Sequence, residues 1–332
     1  MGVDRSTDID GFTPRTSKRE FDRHVRSLTP LPEAGEATAT LEAVTDGSTL
    51  HPISSRGTSG PVMIIGGAED KFRDKVILSR FAKLAGGKDA HVVVISTASS
   101  MGDEATEMYR SLFEGMGITE VTGLGPETRD EADANTVTQI MARATGVFIT
   151  GGNQSRLPQV VAGTRLGDAI ANAHDRGAVL AGTSAGASAL ASHMVAYGAT
   201  GATPKNRMAQ LAAGFGIMPN MIIDQHFEQR GRTGRLLALV AQSPALLGIG
   251  VDEDTCAIIH ADQTLQVIGR GAVTIVDGRH LATDAYRGKG YKPLMVSGAV
   301  LHSLPSGYWF DLRTRELLAG EHANEREREA SE

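Results

Sequence analysis

The chain has 332 residues, 41% hydrophobic and 22% charged, a balance that suits a globular protein with a large buried core. A formal charge of −6 leaves no overall basic footprint, which argues against nucleic acid as a partner. The single cysteine, Cys256, excludes an internal disulfide, and no CxxC or Cys/His spacing suggests structural zinc; a reducing compartment, the cytoplasm, is the expectation.

The N-terminal segment lacks the apolar core of a signal peptide, and no later run approaches the ~18 apolar residues of a membrane span, so no membrane partner is expected. Residues 1–60 are rich in Asp, Arg, Ser, Thr, Pro and Gly without sustained periodicity, as in a partly flexible extension. Ordered structure begins at Pro61, where PVMIIGG reads as a short buried strand followed by a helix from Asp70 through Leu84. HVVVIST is a second strand, Asp103 to Met116 a helix, ITEVTGLG a third strand and Asp133 to Ala144 a helix. Then come the strand GVFITGG, a helical stretch to Arg176, and the strand AVLAG.

Apolar β-branched runs alternating with amphipathic helices predict an α/β fold, a mostly parallel sheet with helices on both faces. Such sheets put their sites at the C-terminal ends of the strands. After about Pro244 closely spaced strand candidates follow: LLGIGVDE, CAIIHAD, TLQVIG, AVTIVDG and LMVSGAVLHSL. They predict an antiparallel or mixed extension of the sheet. The expected organisation is a single α/β catalytic domain over 61–318 and a charged tail over 319–332.

The sharpest motif is GTSAG, Gly182 to Gly186, which a buried strand enters and a small-residue helix leaves. A sharp strand-to-helix turn projects the Ser184 hydroxyl above the sheet edge, and the following amide, that of Ala185, can stabilise an oxyanion. A small-residue junction serving only close packing is the bland alternative.

A serine nucleophile needs a base, and six histidines lie downstream: His193, His226, His260, His280, His302 and His322. His226 ends the apolar run MIIDQH, where a strand would deliver it to the edge that carries Ser184. The third member is a carboxylate that fixes the imidazole tautomer, and Asp252-Glu253-Asp254 follows the strand LLGIGV. Period-two alternation sets Glu253 on the face of Ile249 and Val251, and Asp252 on that of two glycines, which favours Glu253. Arg230, Arg232 and Arg235 enter the next helix, where three cations oppose the helix dipole; a carboxylate-bearing substrate is the simplest explanation. GGAEDK and GGNQ occupy other strand ends and match neither a dinucleotide fingerprint nor a phosphate loop.

The order Ser, His, acid differs from the Ser, acid, His of α/β-hydrolases, which would need a later histidine such as His280 or His302. GGAEDK, GGNQ, GTSAGA, DQHF, QRGRTGRL and GVDED, in this order from Pro61 to Asp262, resemble the cyanophycinase branch of the serine peptidase family that also contains aspartyl dipeptidase. The resemblance implies a fold similar to class I glutamine amidotransferases, no metal or cofactor, a homodimer, and a triad of Ser184, His226 and Glu253. It further implies an oxyanion hole of Gly152 and Ala185, with Gln154, Asp224, Gln225, Arg230, Arg232 and Arg235 contacting substrate. That substrate is cyanophycin, an aspartate backbone with arginine on each β-carboxyl group, cut to β-aspartyl-arginine dipeptides. Rival readings are a peptidase acting on other aspartyl or β-aspartyl peptides, a non-catalytic binding protein on the same fold, and an α/β-hydrolase esterase.

Overall fold

Five apolar runs build the parallel half of a nine-stranded sheet in the computed structural model, which describes residues 59–318. They are β1 (Val62–Ile65), β2 (His91–Ile95), β3 (Glu120–Leu124), β4 (Gly146–Ile149) and β5 (Val179–Thr183), arranged β1-β5-β4-β2-β3. Strand alternation sends their side chains into two cores: Val62 and Ile64 of β1 face one side, Met63 and Ile65 the other. The predicted extension at 1–60 lies outside the described residues except for Ser59 and Gly60, and the predicted tail at 319–332 lies wholly outside them.

Helices α1 (Val76–Leu84) and α2 (Asp103–Glu114) cover the Met63 side through Ile77, Leu78, Phe81, Tyr109 and Phe113. The Phe148 ring of β4 packs among those of Phe81, Tyr109 and Phe113, at centroid distances of 5.3, 4.6 and 5.5 Å. The Val62 side receives α4 (Asn135–Met141), which follows the single turn α3 (Arg129–Ala132), then α5 (Arg156–Val161), α6 (Arg165–Asp175) and α7 (Ala185–Ala189).

Helix α1 begins six residues later than the sequence predicts. Asp70 folds the preceding residues into a turn, its carboxylate accepting the N–H groups of Phe72, Arg73 and Lys75. These local bonds compete with the helical ladder and hold the Asp70 carboxyl well below the usual carboxylate range. Likewise, the helix predicted over Asp133 to Ala144 is shorter, and the stretch to Arg176 divides into two helices.

The later strands part company. A hairpin of β6 (His193–Gly198) and β7 (Ala209–Ala213) precedes β8 (Met221–Gln225). Helix α8 (Thr233–Gln242) then leads to β9 (Leu247–Val251), β10 (Thr255–Ile259), β11 (Thr264–Gly269) and β12 (Ala272–Asp277). The short β13 (Ala282–Thr283) and β14 (Val296–Ser297), β15 (Val300–Pro305), β16 (Trp309–Asp311) and β17 (Glu316–Leu317) complete the described chain. Strands β10, β11, β16 and β17 extend the large sheet antiparallel from β1, as predicted.

Strands β8, β9, β12 and β15 instead form a separate four-stranded sheet, with β8 and β9 parallel. Ile223, Ile249, Val251 and Ile275 of this second sheet join the Val62-side core, and α8 covers its opposite face through Leu236, Leu239 and Val240. At the turn Asp252–Asp254 the chain therefore passes from the small sheet to the large one.

Candidate active site

β5 ends at Thr183, and Ser184 turns the chain into α7 with φ 53 and ψ −114. Only glycine adopts such angles without strain of about 1–3 kcal/mol, which the surrounding structure must hold in place. Its N–H donates to Ile65 O of β1 at 3.0 Å. His226, just past β8, also has a positive φ, 46, and donates its N–H to Gly66 O at 2.8 Å.

These two turns bring the Ser184 hydroxyl to His226 Nε2 at 2.8 Å, while His226 Nδ1 lies 2.6 Å from Glu253 Oε1. With Nδ1–H donating to the carboxylate, Nε2 is the accepting nitrogen and the serine hydroxyl donates to it. The Ser184 and His226 side chains thus meet between the two sheets, Ser184 following the large one and His226 the small one.

Asp252 and Glu253 hold different groups. Asp252 accepts the N–H of Glu228 through one oxygen and that of Ala272 through the other, each at 3.0 Å. Glu253 is left to the imidazole, and its own N–H donates to Gln229 Oε1 at 2.9 Å.

His226 is 8% exposed. Burial pushes its pKa below the ordinary histidine value, opposed by the hydrogen bond to Glu253 and assisted by the positive charge of Arg230. Burial thus favours the neutral imidazole, the form a general base needs.

Beside the serine runs the loop after β4. A Cβ on Gly151 would stand 3.0 Å from Ser184 Cβ, and Gly152, at φ 140, fits where a Cβ would lie 2.0 Å from Ala98 O. Gln154 fastens this loop to β6, donating from Nε2 to the carbonyls of Val195 and Ala196 at 2.7 and 3.0 Å. Ala185 opens α7, so its amide is among those for which a helix supplies no acceptor.

The arginine cluster differs from the expectation. Asp224 is fully buried and its carboxylate receives Arg235 through Nε at 2.5 Å and also through Nη2, with Arg232 Nη1 at 3.1 Å. Arg232 Nη1 further donates to the Gln225 carbonyl, and Arg235, 3% exposed, reaches Gly198 O. Asp224 and Arg235 thus face each other rather than open space, because an unpaired charge this deep would be costly. Burial and the neighbouring arginines push Arg232 down to about 10. Its Nε and Gln225 Oε1 are buried without a hydrogen-bond partner among the described residues, and Arg230 is exposed.

One group went unrecognised in the sequence. Glu69, in the loop after β1, is 3% exposed and accepts hydrogen bonds from Tyr109, Lys71 and Thr183, the residue before Ser184. No local signal marks it in the sequence, because its contacts arise only once β1 lies beside β5 and their C-terminal loops meet. Cys256, facing Ile65 in the register, is fully buried, and burial with the nearby Glu69 pushes its thiol well up, which disfavours the thiolate.

The profile of Peptidase family S51 matches residues 62–268, a stretch that contains Ser184, His226 and Glu253. The chain belongs to peptidase family S51. As an S51 protein it is a serine-type peptidase, a hydrolase. The cyanophycinase of Synechococcus elongatus is 40% identical over 275 residues, covering 81% of this chain and 85% of that protein. The cyanophycinase of Geminocystis herdmanii (strain PCC 6308) is 39% identical over 261 residues, covering 78% and 96%. That of Nostoc sp. (strain PCC 7120) is 40% identical over 275 residues, covering 82% and 92%. Among solved structures, a peptidase from an acI-B1 Actinobacterium superposes with a TM-score of 0.55 at 22% identity, over 74% of this chain and 97% of that one, and shares the fold.

Proposed function

We propose that this S51 peptidase is a cyanophycinase-like exopeptidase, which hydrolyses cyanophycin to β-aspartyl-arginine dipeptides through an acyl-enzyme on Ser184. The observation that carries the reading is the continuous chain of hydrogen bonds from the Ser184 hydroxyl through His226 to Glu253, at 2.8 and 2.6 Å. Three cyanophycinases at 39–40% identity over about four fifths of the chain support the choice of substrate.

Ser184 Oγ attacks the scissile backbone carbonyl while His226 Nε2 takes its proton. Glu253 holds the imidazole in the tautomer that accepts this proton and stabilises the imidazolium that forms. The amides of Gly152 and Ala185 receive the oxyanion. Collapse of the tetrahedral intermediate transfers the proton from His226 to the leaving amine, and the acyl-enzyme remains. His226 then deprotonates a water, which attacks the ester, and the serine regains its proton as the acyl product leaves.

Arg230, Arg232, Gln225 and Gln154 recognise the carboxylate and guanidinium groups of the polymer, with Asp224 and Arg235 setting the position of Arg232. The protein works as a cytoplasmic homodimer, with residues 61–318 as its catalytic domain; among the described residues no helix is long and apolar enough to cross a membrane.

Incubation with purified cyanophycin, followed by mass analysis, tests the proposal. β-Aspartyl-arginine dipeptides from the wild type and none from Ser184→Ala are expected. Cleavage of short aspartyl or β-aspartyl dipeptides with the polymer left intact would replace cyanophycin as the substrate while keeping the triad.

A further inference from the structure

The backbone of the segment Ile65–Asp70 holds Ser184 and His226 directly and Glu253 through its neighbour Asp254. Three successive carbonyls, those of Ile65, Gly66 and Gly67, accept the N–H groups of Ser184, His226 and Asp254, at 3.0, 2.8 and 2.9 Å. Asp254 is bonded directly to Glu253, and its side chain returns to the segment by accepting the Asp70 N–H at 2.8 Å. One short stretch of chain thus sets the spacing of nucleophile, base and acid, which come from elements far apart in sequence and from two different sheets.

This segment is not in a relaxed conformation. Ala68 has φ 49, and the three residues it helps to register, Ser184, His226 and Asp254, have φ 53, 46 and 48. Left-handed angles at four non-glycine residues around one site need an anchor, because each alone favours a different backbone. Glu69 is that anchor. Its Oε2 accepts the Thr183 hydroxyl at 2.6 Å; its Oε1 accepts the Tyr109 hydroxyl at 2.5 Å and Lys71 Nζ at 2.8 Å. Burial and the adjacent carboxylate push the Tyr109 phenol far up, so it stays protonated and remains a donor.

Burying a carboxylate is costly unless donors surround it, and an apolar side chain would fill the space without that cost. A fully satisfied buried network instead fixes one arrangement of the groups it joins. We infer that Glu69 is a positioning residue for the nucleophile, locking the Ile65–Asp70 segment to Thr183 so that the Ser184 hydroxyl and the His226 imidazole are held in reacting register. The inference rests on the reading of Ser184 as the nucleophile.

The test measures the rate at which a fluorophosphonate labels Ser184 in the full chain, together with kcat and KM on the hydrolysed substrate. In labelling, Ser184 Oγ bonds to phosphorus, fluoride leaves, and His226 takes the serine proton, so the rate reads the pair's geometry whatever the natural substrate. Glu69→Gln should slow labelling and lower kcat by about 10–100-fold, with KM within about threefold, since small misplacements of reacting groups act on that scale. Thr183→Val, nearly isosteric and leaving Glu69 its other two donors, should do the same more mildly. It decides the question if Glu69→Gln fails to fold. The double variant should be no slower than Glu69→Gln alone, because both changes cut one link. Wild-type rates in folded Glu69→Gln or in Thr183→Val, or losses that multiply in the double variant, would overturn the inference alone. A wild type that is not labelled at Ser184 would remove the nucleophile reading and this inference with it.

Discussion

The imidazole of His226 packs against Gly67 so closely that a Cβ on that glycine would stand 2.4 Å from Cε1 and 2.7 Å from Nε2. Gly67 also has φ +100, which an L side chain rarely adopts. Gly67→Ala should displace the ring from Ser184 and lower kcat by about 100-fold or more, measured by steady-state kinetics against a wild type of matched secondary structure. An alanine variant with near wild-type kcat would mean that the ring has another way to sit.

Removing the nucleophile should separate activity from stability. Ser184→Gly should abolish turnover, and it should melt at or above the wild-type temperature, because φ 53 and ψ −114 are strained for serine and free for glycine. The relief of about 1–3 kcal/mol outweighs the roughly 0.5–1 kcal/mol that glycine adds in unfolded-chain entropy. Scanning calorimetry checks this; a clear drop in Tm would argue that the turn is not strained.

The depressed pKa of His226 fixes a sign. The imidazole must be neutral to act, so the acid limb of kcat/KM should lie below the ordinary histidine value of about 6.5 and the profile should be flat above it. Arg230→Gln removes a cation that favours the neutral ring, so the limb should move to higher pH. The same shift makes a stability term: the folded state disfavours the proton, so this contribution is whole above about pH 6.5 and is lost as pH falls through the folded value. Labelling rates against pH for the two proteins provide the comparison.

Asp224→Asn should be felt as lost stability. It leaves Arg232 and Arg235 buried without their counter-charge, a change worth about 3–5 kcal/mol. Urea titration followed by circular dichroism measures it. A variant within about 1 kcal/mol of wild type would show that the guanidinium groups find other acceptors.

Ser184 was legible because everything that shapes its turn is local: the strand before it, the glycines at 182 and 186, and the helix after it. His226 and Glu253 were reachable because parallel β8 and β9 end side by side, and alternation favoured the carboxylate that meets the imidazole. What the pattern of apolar runs does not encode is which strand pairs with which. Hence β9 and β10, separated only by Asp252–Asp254, read as neighbours in one extended sheet although they belong to two. The start of α1 was misplaced because Asp70 can close a turn as readily as it can cap a helix. Glu69 stayed hidden because its partners, Tyr109 and Thr183, lie 40 and 114 residues away in sequence.

Because Ser184 follows the large sheet and His226 the small one, the seam between the two layers runs through the hydrogen bond that joins them. A slippage of the layers too slight to melt either one would still pull base from nucleophile. Under mild heat or denaturant, hydrolysis should therefore fade while the circular dichroism signal is still intact, making turnover an early gauge of how firmly the two halves are docked.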